Sequence, residues 1–189
     1  MKSIENVSRR SFLKVAGIAS GSFVLGMNLP LAQAKSSAKA ASHELNFFVS
    51  IANDSKVTLV CHRSEMGQGI RTSVPQIIAE ELEADWKLVE VIQAKADAKY
   101  GSQGTAGSAS IRNHFTSIRQ IGAVARDMLE QAAANIWKVE RSAVKAKQNF
   151  VVHSATGEKI SFGELASHAA KLAPPESKNV KLKNNADFS

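Results

Sequence analysis

One cysteine, one tyrosine and four prolines among 189 residues set the first limits on this chain. A lone Cys61 excludes an internal disulfide framework and any cysteine-held zinc or iron–sulfur centre within the chain. It lies in the apolar run Val57-Thr58-Leu59-Val60-Cys61, the setting of a small buried core residue rather than a reactive thiol. Aromatic residues are sparse, and no Arg-rich block or stacked aromatic series accompanies them, so nucleic-acid binding is not indicated. No two histidines share metal-ligand spacing on one helix face, which argues against a protein-ligated metal. Long apolar runs are missing too. Val15 to Leu31 is diluted by Gly17, Gly21, Gly26 and several serines. It is shorter than the roughly 18 strongly apolar residues that a stable membrane span needs.

What precedes and follows that run gives it a meaning. Ser8-Arg9-Arg10-Ser11-Phe12-Leu13-Lys14 is a twin-arginine signature, and Ala32-Gln33-Ala34 supplies small residues where a signal peptidase needs them. Residues 1–34 therefore read as a twin-arginine signal peptide, with the twin-arginine translocase as partner and the periplasm as destination. That route carries folded proteins, often after cofactor insertion, so a cofactor-binding protein is expected. No cysteine lies near the cleavage site to carry a lipid anchor. The formal charge is +7; four cations against Glu5 in the leader leave +4 for the rest, a balance that suits an anionic ligand or an acidic partner.

Residues 35–189 amount to one domain, long enough to bury roughly two-thirds of its unfolded surface. Residues 35–44 read as a flexible Ala/Ser/Lys leader, 45–173 as an α+β domain, and 174–189 as a polar tail. Leu45 to Ile51 and Val57 to Cys61 are strand-like runs joined by Asn53-Asp54-Ser55-Lys56. Val74, Ile77, Ile78 and Leu82 keep helical spacing up to about Ala84, with Pro75 expected in the first turn. Val89 to Ile92 is a third strand. Ile118, Ile121, Ala125, Met128, Leu129 and Ala132 mark a long helix ending near Trp137. Phe150 to His153 and Lys159-Ile160 flank a turn at 155–158. Ser161-Phe162-Gly163-Glu164 is a capping box opening a last helix, which Pro174-Pro175 is expected to end. The fold class is α+β, mixed strands with packed helices.

Two loops leading into helices could carry chemistry. The first is Glu65-Met66-Gly67-Gln68-Gly69-Ile70-Arg71-Thr72. Its glycines let a flat ligand approach the backbone, the Gln68 amide can donate and accept, and the following helix directs N–H groups toward a negative charge. The second is Gly104-Thr105-Ala106-Gly107-Ser108-Ala109-Ser110-Ile111-Arg112, a hydroxyl-rich nest suited to phosphate oxygens with Arg112 as counter-charge. On composition alone either loop is a turn or a ligand cradle. Neither carries the Lys of a Walker loop, and neither fits the dinucleotide fingerprint. Their shared pattern predicts that they converge in space.

Resemblance narrows this. Glu65-Met66-Gly67-Gln68-Gly69, with Thr72 and Ala79-Glu80-Glu81-Leu82, resembles the signature of the xanthine dehydrogenase and aldehyde oxidase superfamily. Thr105 to Ser110, then Arg119-Gln120-Ile121-Gly122-Ala123, is similar to that superfamily's second pterin-phosphate segment. With its twin-arginine leader the chain resembles the isoquinoline 1-oxidoreductase beta-subunit type, a resemblance running from Ser8 to Phe188.

The resemblance implies part of the molybdopterin-binding domain of a molybdenum hydroxylase, with molybdopterin cytosine dinucleotide as cofactor. Gln68 would contact the pterin, with Met66, Gly67 and Gly69 shaping the loop. Thr105, Ala106, Gly107, Ser108 and Ser110, with Arg112, would hold the phosphate side. The reaction implied is hydroxylation of an N-heterocycle or aldehyde with water-derived oxygen, electrons leaving through a small [2Fe-2S] subunit. Such subunits are several times longer and carry their catalytic glutamate near the far end. The chain is therefore expected to be a truncated or split portion with no catalytic residue of its own. Glu80 and Glu81 read as a solvated helix face. His62 and His114 are expected beside the two loops, and His43, His153 and His168 at the surface or in turns. A small periplasmic nucleotide- or anion-binding module, or a non-functional remnant, are the alternative readings.

Overall fold

The computed structural model describes residues 42–188, and the expected signal peptide and the first part of the expected leader lie outside them. Four strands form the first sheet: β1 (Ser42–Asn46), β2 (Val49–Ala52), β3 (Val57–Cys61) and β4 (Val89–Gln93), side by side in that order. β1–β2 and β2–β3 are antiparallel, whereas β3 and β4 are parallel. A parallel pair needs a crossover, and helix α1 (Ile70–Leu82) provides it. The run from Leu45 to Ile51, expected as one strand, is broken at Phe47-Phe48 into a two-residue hairpin. Neither turn residue is one of the usual turn formers, so composition conceals the break. β1 also takes in Ser42 to Glu44 from the expected leader, because His43 pairs with Ile51 across the ladder.

α1 begins at Ile70, earlier than expected, so Pro75 lies past the first turn and its missing N–H leaves one helical bond unmade. The helix closes at Glu83 in a left-handed conformation, whose N–H meets the Ala79 and Glu80 carbonyls. After a single helical turn, α2 (Ala109–Arg112), comes the long helix α3 (Phe115–Trp137), ending where its periodicity stops. Ile118, Ala125, Met128, Leu129 and Ala132 are all buried against α1, the sheet and the last helix. At the α1–α3 crossing a Cβ on Gly122 would lie 2.3 Å from the Ile78 carbonyl oxygen, so only glycine permits this approach.

A second, three-stranded antiparallel sheet follows: β5 (Val144–Lys147), β6 (Phe150–His153) and β7 (Lys159–Ser161). β5 has no counterpart in the sequence reading, since Val-Lys-Ala-Lys is short and half lysine; its burial nonetheless alternates, with Val144 and Ala146 inward. Helix α4 (Phe162–Ala169) opens on the expected capping box: Ser161 Oγ accepts from the Glu164 N–H and the Glu164 carboxylate from the Ser161 N–H. It stops at Ala169, ahead of Pro174. The chain is α+β, as expected.

Two features knit these elements together. Asn149, in the β5–β6 turn at φ 66°, is buried. Its Nδ2 donates to the Ser55 carbonyl (2.7 Å), its Oδ1 accepts from the Asp85 N–H (3.0 Å), and its own N–H donates to the Glu83 carbonyl (2.9 Å). The other is an ionic network under α1. Glu81 is fully buried and meets Arg119 Nε at 2.6 Å and Arg126 Nη1 at 3.3 Å. This corrects the reading of Glu81 as a solvated residue: its helix face turns onto α3, which brings two arginines to it. Glu80 is also engaged, pairing with Lys183 at 2.5 Å. The tail is correspondingly docked. Lys183 N–H donates to Glu81, and the carbonyls of Lys181 and Lys183 accept from Arg126 and Arg119.

Candidate functional site

β3 delivers the first loop. Cys61, His62 and Arg63 are buried at its end, and the chain then surfaces, with residues 64–69 exposed. Glu65 organises the turn. Its Oε1 accepts from the N–H groups of Gly67 (2.6 Å) and Gly69 (3.0 Å), and its Oε2 from that of Arg71 (2.9 Å). The Arg71 N–H above all, then those of Gly69 and Gly67, hold its carboxyl below the ordinary range. The N–H groups at the start of α1, expected to face a ligand's negative charge, are thus partly taken by a side chain of the same loop. A carboxylate at a helix start is favoured there by the helix dipole, and its lowered pKa makes it a poor proton acceptor at neutral pH.

Gln68 is likewise turned inward. Its Oε1 accepts from the Met66 N–H (2.6 Å) and its Nε2 donates to the Ser64 carbonyl (2.9 Å). One amide hydrogen and one carbonyl lone pair remain for an outside group. Met66 is exposed, and at Gly67 and Gly69 an added Cβ would meet no atom within 4 Å, so open space lies before the backbone. Both glycines have positive φ, 93° and 82°, which disfavours any side chain.

The second loop meets the first, as their shared pattern predicts. Thr105 Oγ1 accepts from the Ser64 N–H (3.1 Å) and lies 3.2 Å from the Ser64 carbonyl, to which it donates. Gln68 and Thr105 therefore share one acceptor, the Ser64 oxygen. Arg63 Nη1 adds a 2.5 Å bond to the Gly104 carbonyl and a longer one, 3.5 Å, to Ser102 Oγ. Gly104, Ala106, Gly107 and Ser108 are exposed, and Ser108 has a left-handed φ of 55°. Arg112 closes the loop on itself, Nη2 donating to the Gly107 carbonyl at 3.3 Å. Ser110, by contrast, is buried in the first turn of α2.

A family model described as the molybdopterin cofactor-binding domain matches residues 2–189. The chain belongs to that family. This molybdopterin-binding domain is 36% identical over 181 residues to the isoquinoline 1-oxidoreductase subunit beta of Brevundimonas diminuta, covering 90% of this chain and 23% of that one. It is 34% identical to the membrane-bound aldehyde dehydrogenase [pyrroloquinoline-quinone] of Gluconacetobacter polyoxogenes, over 70% of this chain and 17% of that one. Its fold is similar to that of quinoline 2-oxidoreductase from Pseudomonas putida 86, with a TM-score of 0.52, 19% identity, and coverage of 68% of this chain and 17% of that one. The chain thus spans about a quarter or less of the length of the relatives it matches.

Not every segment that resembles the superfamily lies at the loops. In Arg119 to Ala123 the arginine holds Glu81 and the glycine allows the helices to touch, so two of its residues serve the α1–α3 contact. His62 and His114 do lie beside the loops, lining a cavity of about 640 Å³ with Phe48, Tyr100 and Ser102. Burial first, then the charges of Arg63 and His114, push the His62 pKa down to about 4, so the ring is neutral at physiological pH. His153, expected at the surface or in a turn, is buried at the end of β6, edge-on to Trp137, with Nδ1 accepting from the Thr156 N–H of the turn that follows. Burial raises the Cys61 pKa and keeps it a thiol, as expected of a core residue. Among the described residues no cluster of His, Cys, Asp and Glu could hold a metal ion, and no helix is long and apolar enough to cross a membrane.

Sequence reasoning missed Arg63. It lies two residues before the first motif, and a single arginine after an apolar strand carries no local signal of burial. The second loop returns to it, the Gly104 carbonyl accepting from Nη1.

Proposed function

We propose that this chain is the N-terminal part of the molybdenum-cofactor-binding subunit of an exported oxidoreductase. The subunit would hydroxylate N-heterocycles or aldehydes with water-derived oxygen, and the chain alone is inactive. The observation that carries the reading is the junction of the two loops at Ser64 and Thr105, which makes one surface of two separate segments. The fit to a molybdopterin dinucleotide rests on that surface. Open space lies before Gly67, Gly69, Gly104 and Gly107, and the buried Arg63 cation lies behind it. Gln68, with Met66, Gly67 and Gly69, would hold the pterin. Thr105, Ala106, Gly107, Ser108 and Arg112 would hold the phosphates of the cytosine form, and Ser110 would support the turn. Once bound, the cofactor supplies the redox chemistry of hydroxylation.

This chain's own residues bind and orient. Neither Glu65 nor Glu81 is placed as the general base: Glu65 is tied to three N–H groups, and Glu81 is enclosed by arginines. The rest of the large subunit and a small [2Fe-2S] subunit would provide the base and the electron outlet. Molybdopterin is preferred to pyrroloquinoline quinone because the family match extends over residues 2–189.

Cytidine diphosphate is a suitable probe of the phosphate side. Titrated into ¹⁵N-labelled protein, it is expected to move the amide signals of Gly67, Gly69, Gly104 and Gly107 with an affinity of about 1 mM, because half a site leaves much of the ligand in water. Shifts confined to other residues would overturn the assignment. Protein purified from molybdenum-replete cells is expected to carry well under stoichiometric metal and to show no dye-linked turnover on aldehydes or N-heterocycles. Stoichiometric metal with turnover would sink the claim of inactivity. For export, Arg9→Lys combined with Arg10→Lys should retain the chain in the cytoplasm, since the two side chains differ in shape and donor geometry as well as sharing a charge. Undiminished appearance of the double variant in the periplasm would refute it.

A further inference from the structure

Arg63 is a buried charged residue at the loop pair, next to His62, whose Nδ1 is likewise buried without a partner among the described residues. The Arg63 side chain is 2% exposed, yet Nε and Nη2 meet no hydrogen-bond partner among the described residues. A buried cation without an acceptor for most of its donors is costly to desolvate, and an apolar side chain of similar volume would avoid that cost. Its remaining nitrogen points to a purpose. Nη1 reaches across 41 residues of sequence to the Gly104 carbonyl, at the start of the second loop, and touches Ser102 Oγ two residues before it. Its neighbour Ser64 makes the reciprocal pair with Thr105. These contacts tie the stretch from Ser102 to Thr105 to the end of β3.

We propose that Arg63 is a positioning residue that locks the second loop onto the first, at the expense of global stability. β3 is a buried strand of the sheet, so anchoring Gly104 to the residue beyond it transmits the rigidity of the core to an exposed loop. The guanidinium suits this because its planar fork fixes direction as well as distance; a lysine offers only a point donor. The unpaired positive charge left behind the loops also suits an anionic ligand in front of them. The functional relevance of the lock rests on reading the loop pair as a binding site. The lock itself can be tested without any ligand, so the two readings can fail separately.

Hydrogen exchange of the full chain, followed by mass spectrometry, with the thermal midpoint measured in parallel, decides the matter. In Arg63→Met the amides of Ser64 and Ala109, which donate to Thr105 Oγ1 and to the Ala106 carbonyl, should exchange about tenfold faster or more, while those of the interior of α1 and α3 do not change. The thermal midpoint should stay level or rise, because an unpartnered buried charge has gone. Arg63→Lys should restore part of the protection at these two amides. A merely structural arginine gives the opposite pattern: a lower midpoint with exchange rising throughout the domain. That pattern, or unchanged exchange at Ser64 and Ala109, overturns the proposal. Should Arg63→Met not fold, Arg63→Lys decides by itself, since loosening confined to Ser64 and Ala109 supports the lock and unaltered protection refutes it.

Discussion

Replacing Glu81 by alanine is expected to cost about 3–5 kcal/mol of folding free energy and to lower the thermal midpoint by roughly 6–20 °C. The carboxylate is fully buried and meets Arg119 and Arg126, and it also accepts the Lys183 N–H. Removing it leaves two arginines of α3 turned toward α1 with no negative charge to meet them. Breaking one side of a buried pair is far more damaging than the net value of the pair, because the remaining charge stays desolvated. The tail should be released as well, since the carbonyls of Lys181 and Lys183 are held by the same arginines. Glu80→Ala makes the comparison: Lys183 keeps Glu83 at 2.7 Å, so the loss should stay near 1 kcal/mol or below, the range of partly exposed pairs. Equal losses in the two variants, read by thermal denaturation, would show that burial is not what makes Glu81 matter.

The second large effect is expected at Asn149. Asn149→Gly keeps the left-handed backbone available and deletes only the amide, leaving the Asp85 N–H and the Ser55 carbonyl without their partner. Both bonds are part-buried, so each orphaned group falls toward the lower part of the roughly 1–3 kcal/mol range, which places the variant about 2–4 kcal/mol below the parent. Asn149→Ala should be worse by about 1 kcal/mol, because a β-carbon disfavours the φ of 66° found here. Chemical denaturation of the three proteins tests the order. If alanine were tolerated better than glycine, backbone conformation would not govern the turn. If both variants matched the parent, the amide would not join the second sheet to the first.

The candidate site shows where reading a sequence succeeds. Its two loops were legible because their signals are local: glycines at 67, 69, 104 and 107, and a helix after each. The capping box at Ser161 and the end of α3 at Trp137 were legible for the same reason. The hairpin at Phe47-Phe48 and the strand Val144–Lys147 were not, because neither carries the composition of its class. Their structures follow from what they pair with, and pairing partners lie elsewhere in the chain.

Charge divides along the same line. A glutamate pair on a helix, Glu80-Glu81, reads as solvated until α3 is packed against it and Arg119 and Arg126 arrive from 38 and 45 residues away. Arg63 carries no local signal of its burial, and its contacts with Gly104 and Ser102 come from about 40 residues further along the chain. The sequence by itself determined the family, the α+β class and the two loops, because glycine conformation, helix periodicity and short motifs are properties of neighbouring residues. Only the tertiary structure decided which charges are buried, which arginine joins the loops, and that Gln68 and Glu65 close their own turn before any ligand arrives. Burial and ion pairing depend on distance in space, and no arrangement of nearest neighbours along the chain fixes that distance.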